Sequence, residues 1–191
     1  MIFDKNYIQL SLPVSHLLEK EPTPILDFLV NRNQYNHPAL YVFWWIGNRI
    51  ILENSNRKIV LKGPKLGKYA SHKSVNVEWI LPKEDGTPIA LYVGKTTNLT
   101  KRVNLHLRMG SENHKIVDDN KIKAHTTSCQ LRYGLDHLFR QREVPIKEIL
   151  THIGVSYEKT DETDGAVMDR FYNENFLIGL LRPWFNVDTE R

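Results

Sequence analysis

Ile89-Ala90-Leu91-Tyr92-Val93-Gly94-Lys95-Thr96-Thr97-Asn98-Leu99-Thr100-Lys101-Arg102 is the stretch on which the reading of this chain turns. Ile89 to Gly94 is apolar, aromatic and β-branched, the composition of a strand. Asn98 then suits the cap of a helix, because its side chain can accept from a first-turn N–H, and Leu99, Val103 and Leu107 recur at every fourth position. Gly110 is the expected stop. Arg102 and His106, four residues apart, stack on one face beside that apolar stripe. A guanidinium next to buried surface can grip a phosphate through two hydrogen bonds, although a snorkelling Arg and a satisfied core His account for each residue taken singly. Gly94-Lys95-Thr96 is not a P-loop: the glycine required five positions before Gly94 is Ile89.

Upstream, Thr23-Pro24 is read as the start of a short helix through Val30, and Ala39 to Ile46 as a strand. Arg49 to Leu61, split by Glu53-Asn54-Ser55-Asn56, reads as a hairpin, followed by a basic loop at Gly63, Pro64 and Gly67. Val75 to Leu81 and Ile89 to Gly94, joined by Lys83-Glu84-Asp85-Gly86, read as a second antiparallel hairpin. Downstream, the chain to Leu150 is basic and His-rich, with a helix around Leu135 to Arg142. Ile153 to Lys159 alternates as a strand, and a final helix runs from about Gly165 to Leu181, before Pro183. On that helix Val167, Phe171, Ile178 and Leu181 fall within an arc of about 80°, and Glu174 lies inside it. A carboxylate so placed is partly buried and needs a partner, either a salt bridge or a hard cation.

Length and composition set the frame. The 191 residues, 41% hydrophobic and 25% charged, fit one globular domain. Cys129 is the only cysteine, which rules out an internal disulfide and, with no close His pair beside an acid, leaves no zinc pattern. Met1 to Lys20 lacks the apolar run of a signal peptide, and no stretch approaches the roughly 18 apolar residues of a membrane span, so a cytoplasmic protein is expected. The net charge of +4 is unevenly spread: Ile46–Ser74 carries +6, Lys95–Lys147 carries +6, and Glu148–Arg191 carries −5. Two basic segments on an acidic frame fit a polyanion, while charge alone fits solvated lysine loops equally well.

Tyr92-Val93-Gly94-Lys95-Thr96-Thr97-Asn98-Leu99 with Arg102 and His106 closely resembles the second half of the GIY-YIG nuclease signature. Glu174-Asn175, with Leu181-Arg182-Pro183-Trp184-Phe185-Asn186, resembles that family's metal-binding Glu and its Pro-aromatic-Asn ending. The likeness covers roughly half the chain. It implies an α+β fold: a small three-stranded antiparallel sheet (Ala39–Ile46, Ile89–Gly94, Ile153–Lys159) flanked by helices. It further implies one domain over 1–191, with an N-terminal helical extension over 1–38 and basic insertions over 46–88 and 110–150, the second partly helical. The first strand departs from the signature. Its tyrosine is assigned to Tyr41 in Ala39-Leu40-Tyr41, about fifty residues before Tyr92; Val77-Glu78-Trp79 has the usual spacing but no hydroxyl.

The resemblance implies a metal-dependent endonuclease that hydrolyses DNA phosphodiester bonds, with restriction-type cleavage as one form. Glu174 would hold one Mg²⁺ or Mn²⁺ per active site, Arg102 would clamp the phosphate, and Tyr41 would take the water's proton. Tyr92 and His106 would orient the base or the water, Lys95 would add positive charge, and Asn186 would be structural. Its partner would be DNA, contacted by His114, Lys121, Lys123, Arg132, Arg140 and Arg142, with a homodimer fitting a palindromic site. The alternatives are a GIY-YIG-like DNA-binding module without catalysis, and a structural domain with no nucleic-acid role.

Overall fold

The computed structural model describes residues 12–65, 72–83, 86, 88–107, 130–139 and 150–186. It is an α+β fold around a four-stranded antiparallel sheet. In chain order the elements are α1 (Leu12–Glu19), β1 (Thr23–Pro24), α2 (Ile25–Val30), a 3-10 turn (Arg32–Tyr35), β2 (Ala39–Trp45), α3 (Arg49–Glu53), β3 (Lys58–Lys65) and β4 (His72–Glu78). Then follow β5 (Ile89–Thr96), α4 (Leu99–His106), α5 (Gln130–Phe139), β6 (Ile153–Lys159) and α6 (Asp164–Leu181). The sheet order is β1-β6-β2-β5, so the three expected strands are present and a two-residue strand is added at the far edge.

All seven residues of β2 are buried, because it is central and covered on both faces. Ala39, Tyr41, Phe43 and Trp45 enter one core with Leu99, Val103, Leu131, Leu135 and Phe185. Leu40, Val42 and Trp44 enter a second core with Val14, Leu17 and Leu177, under α1 and α6. Alternating side chains on a strand thus serve two layers.

Several expected elements are arranged differently. Thr23 does not cap α2; Thr23 and Pro24 pair with Val155 and Gly154, and Pro24 occupies the cap position. Arg49 to Leu61 is not a hairpin. Asn48 accepts from Ile50 N–H at 2.9 Å and Arg49 pairs with Glu53 at 2.9 Å, which makes a helical turn of Arg49–Glu53. Lys58–Lys65 then pairs with His72–Glu78 in a separate two-stranded ribbon. The expected hairpin between Val75–Leu81 and Ile89–Gly94 is therefore absent, since β5 spends its inner edge on β2. The ribbon is seated by Ile59 and Val77 on the first core, while Lys58, Val60 and Asn76 are exposed.

α4 starts where expected: the Asn98 side chain accepts from Lys101 N–H at 2.9 Å. It ends at His106, ahead of Gly110, which lies outside the described residues. α5 begins five residues earlier than the expected Leu135 and is described to Phe139. α6 is capped by Thr163 and ends at Arg182, whose left-handed φ of 46° turns the chain into Pro183. Its buried face is rotated from the expected arc: Arg170, Asn173 and Leu177 are buried, and Phe171 is 50% exposed. Arg170 is buried because it donates to Thr160 Oγ1 at 2.9 Å and to the Asp161 carbonyl, so a polar residue fills a position that apolar periodicity assigns elsewhere. Among the described residues no helix is long and apolar enough to cross a membrane.

Candidate active site

The outer edge of β5 builds the site. A sheet edge exposes unpaired N–H and C=O groups, and here the chain after α6 pairs with them. Trp184 N–H donates to the Ala90 carbonyl at 3.1 Å and Phe185 N–H to the Leu91 carbonyl at 2.9 Å. The Asn186 amide then imitates one further strand residue: its Oδ1 accepts from Val93 N–H and its Nδ2 donates to the Val93 carbonyl, both at 2.8 Å. Two positions on, Lys95 N–H donates to Glu174 Oε1 at 3.1 Å. The edge of β5 thus aligns the end of α6 and holds the Glu174 carboxylate beside Gly94 and Lys95.

Register brings in the second group. Between Phe43 and Trp44 the β2–β5 ladder is irregular: Phe43 faces Tyr92, Trp44 faces Ala90, and Leu91 is the extra residue. The bulge shifts the phase of β5, so that both Leu91 and Tyr92 enter the first core. Tyr92 thereby lies 6.3 Å from Tyr41 and 4.9 Å from His106, ring centre to ring centre. Gly94 lies opposite Tyr41 in the ladder. A Cβ on Gly94 would stand 2.4 Å from the Tyr41 hydroxyl, so only glycine lets that phenol reach the strand end.

The Tyr41 hydroxyl lies 2.8 Å from His106 Nε2, and Arg102 Nε donates to it at 3.4 Å. His106 is fully buried against Tyr41, Phe43 and Tyr92. α4 presents Arg102 and His106 together because they are one helical turn apart, with Val103 and Leu99 anchoring the helix below. Tyr41 itself is 0% exposed. Burial pushes its phenol well above the ordinary range, and the charges of Tyr92 and Glu174 act in the same direction; Arg102 opposes them. At neutral pH the Tyr41 phenol is therefore protonated.

Glu174 and Lys95 form the third group. The ammonium of Lys95 pairs with Glu174 Oε2 and rests 3.8 Å above the Phe171 ring. The carboxylate is 16% exposed and the lysine side chain 24%, so the pair sits at the mouth of the site rather than in the core. No group of three His, Cys, Asp or Glu side chains comes together among the described residues. A cation here would have Glu174 as its protein ligand and take its other positions from water and phosphate. That set suits Mg²⁺, a hard ion that keeps much of its hydration shell.

Tyr41, Tyr92, Lys95, Arg102, His106 and Glu174 thus converge on the end of β5, with Asn186 fastening the edge. Trp79 is elsewhere: it stacks on Trp184 at 6.0 Å and packs edge-on against Phe185. Arg132 lies on α5 and donates to the Leu105 carbonyl at 3.1 Å, at the end of α4. His114, Lys121, Lys123, Arg140 and Arg142 lie outside the described residues. Sequence reasoning overlooked Phe171 as a seat for the Lys95 ammonium, although its place three residues before Glu174 is the signal for it. It also overlooked Gly94 as the neighbour of Tyr41. Comparison with models of known families, with curated proteins and with solved structures finds no match to this chain.

Proposed function

We propose that this chain is a GIY-YIG-type endonuclease that hydrolyses DNA phosphodiester bonds with a divalent metal. One observation carries the reading: Tyr41, Arg102, His106 and Glu174, contributed by β2, α4 and α6, meet at one strand end although up to 133 positions separate them. Hydrolysis of a phosphodiester needs a positioned water, a proton acceptor and positive charge at phosphorus. Mg²⁺ or Mn²⁺, one per site, would be held by Glu174 and would supply neutralising charge at the phosphate. Arg102 is the fork-shaped donor for the same phosphate.

Tyr41 and His106 account for the proton. A protonated phenol is no base by itself, but its hydroxyl can hand its own proton to His106 Nε2 at 2.8 Å as it takes one from water. Tyr92, packed on the His106 ring, fixes the imidazole plane. The proton then rests on a histidine next to Arg102, so the transfer is favoured only with anionic phosphate in place. Supporting DNA as the substrate are the positive segments, including the β3–β4 ribbon with exposed Lys58. A double-strand cut by a chain with one such site would require two copies, and a restriction-type enzyme would bring them as a homodimer.

A second reading, a DNA-binding module that does not cut, draws on one observation: Tyr41 is fully covered and its phenol is held protonated. Cleavage of supercoiled and linear DNA separates the two. Wild type should cut with Mg²⁺ or Mn²⁺ and not with EDTA, and Glu174→Ala should not cut at all. Binding without cutting, across a panel of sequences, flaps and junctions, would hand the chain to the second reading.

A further inference from the structure

Lys95 grips Glu174 twice, and the two grips differ in kind. The backbone N–H on Oε1 belongs to the edge of a strand and cannot leave without unpairing β5. The ammonium on Oε2 rides on a flexible four-carbon stem, and its other contact is the face of Phe171. The carboxylate is therefore held in place by a fixed donor and neutralised by a movable one.

From this division we infer that the Lys95 ammonium occupies the cation position of Glu174 in the resting protein and is exchanged for the divalent metal. The inference rests on the nuclease reading for its metal. A dication on Oε2 would stand within a few ångströms of the ammonium, where like charges repel strongly in a site this sheltered. Both cannot hold that oxygen. Metal entry must expel the ammonium, while the backbone bond to Oε1 keeps the carboxylate from following it. Lys95 directly follows Gly94, which lies against the Tyr41 hydroxyl, so the released ammonium stays tethered beside the place where a phosphate would sit. The exchange has two consequences. Without DNA, Lys95 weakens metal binding, because the ion must displace a resident charge. With DNA, the expelled ammonium finds a phosphate oxygen, so metal and DNA reinforce each other's binding through Lys95.

Mn²⁺ binding to the whole chain, read from the electron paramagnetic resonance signal of the free ion, tests this without any cleavage. Wild type, Lys95→Met, Phe171→Leu and Glu174→Ala are titrated with and without a duplex oligonucleotide, after circular dichroism has shown each to be folded. Lys95→Met keeps the backbone N–H and much of the stem and should bind Mn²⁺ about tenfold tighter than wild type in the absence of DNA. The tightening by DNA expected in wild type should shrink toward unity in this variant. Phe171→Leu removes the ammonium's aromatic seat but leaves the ion pair, and should shift the affinity the same way by roughly twofold. If Lys95→Met and Phe171→Leu bind no tighter than wild type while Glu174→Ala abolishes binding, the metal joins Glu174 without expelling Lys95 and the inference is wrong. If all four bind Mn²⁺ alike, Glu174 is no metal ligand; the nuclease reading then fails and takes this inference with it.

Discussion

Replacing Gly94 by alanine would put a methyl carbon 2.4 Å from the Tyr41 hydroxyl oxygen, 2.6 Å from its Cζ and 2.9 Å from Tyr92 Cε1. Relaxed contacts between such atoms lie near ~3.5 Å, so the phenol would have to retreat by about 1 Å. It has little room for this, because Tyr41 is fully buried against Phe43, Tyr92 and His106. The backbone is not the obstacle, since Gly86 is the only described glycine with positive φ; the cost is one of space. Overpacking of this kind destabilises by about 1–3 kcal/mol. The same 1 Å opens the 2.8 Å Tyr41–His106 bond, and a misplacement of that size lowers the rate of a positioned proton transfer by about 100-fold. Urea unfolding gives the first quantity, and single-turnover cleavage of a plasmid at saturating Mg²⁺ gives the second. Gly179→Ala is the internal control: nothing lies within 4 Å of its added Cβ, so in the last turn of α6 it should leave cleavage unchanged and stabilise by no more than about 0.5–1 kcal/mol. The reasoning is refuted if Gly94→Ala unfolds and cuts within twofold of wild type, for then the phenol is not held where the contacts put it. A loss of stability without loss of cleavage would instead remove Tyr41 from the chemistry.

Asn186→Ala strips both hydrogen bonds from Val93 at the buried edge of β5, which should cost about 2–3 kcal/mol in urea unfolding and raise hydrogen exchange at the Val93 amide above that of its neighbours. Tyr41→Phe should abolish cleavage while leaving a folded protein. It should also change the alkaline limb of stability. The folded phenol holds its proton more tightly than the unfolded one, so the stability it lends is complete below the ordinary value of 10.0 and is lost as pH rises above it. Unfolding free energy should therefore fall less steeply above that pH in Tyr41→Phe than in wild type, and equal slopes would mean that Tyr41 is not buried as a neutral phenol. Arg102→Lys keeps a charge but loses the fork, and should raise KM for DNA and lower kcat; an unchanged KM would mean that Arg102 does not touch the phosphate.

Three of the four strands of the central sheet were legible, β1 being the exception, because burial leaves a direct mark such as the seven consecutive apolar residues of β2, and α4 was legible from a cap followed by a four-residue period. What was illegible was decided far along the chain. Ile50-Ile51-Leu52 has strand-like composition, yet the Asn48 cap and the Arg49–Glu53 pair wind it into a turn of helix. The Lys83-to-Gly86 turn favours a hairpin locally, and Gly86 does take a left-handed φ of 81° there. β5 nevertheless pairs with β2, and β4 goes to β3, because the core offers β5 a fully buried partner. The rotation of α6 was hidden for a similar reason. Arg170 is buried by virtue of its partners, and a wheel weighted by apolar residues cannot register partners. In the site, Arg102 and Glu174 were singled out because each sits beside an apolar face; the Glu174–Lys95 pairing could not be, since it is made across 79 positions at a strand edge.

The bulge at Leu91 explains why so few residues suffice for the arrangement. In a regular strand Tyr92 would share a face with Ala90 and look toward the second core, under α6, and Gly94 would follow it. Tyr41 would then have no glycine beneath its hydroxyl, and His106 would keep the Tyr41 and Phe43 rings but lose that of Tyr92. The extra residue moves Tyr92 and Gly94 to the face of Tyr41 and, by the same step, sends Lys95 opposite Leu40, on the α6 side where Glu174 is. One irregularity thus divides the end of β5 between two layers. The Tyr41–His106–Arg102 cluster lies on one face, the Glu174–Lys95 pair at the edge and on the other, and only the width of a glycine separates them. Under the proposed function, a phosphate approaching the strand end would meet both at once, which no arrangement confined to one face of the sheet would allow. Deleting Leu91 itself would keep Phe43 opposite Tyr92 and Tyr41 opposite Gly94 and would remove one side chain from the first core, so it should cost more in fold, about 2–5 kcal/mol in urea unfolding, than in cleavage by the protein that remains folded.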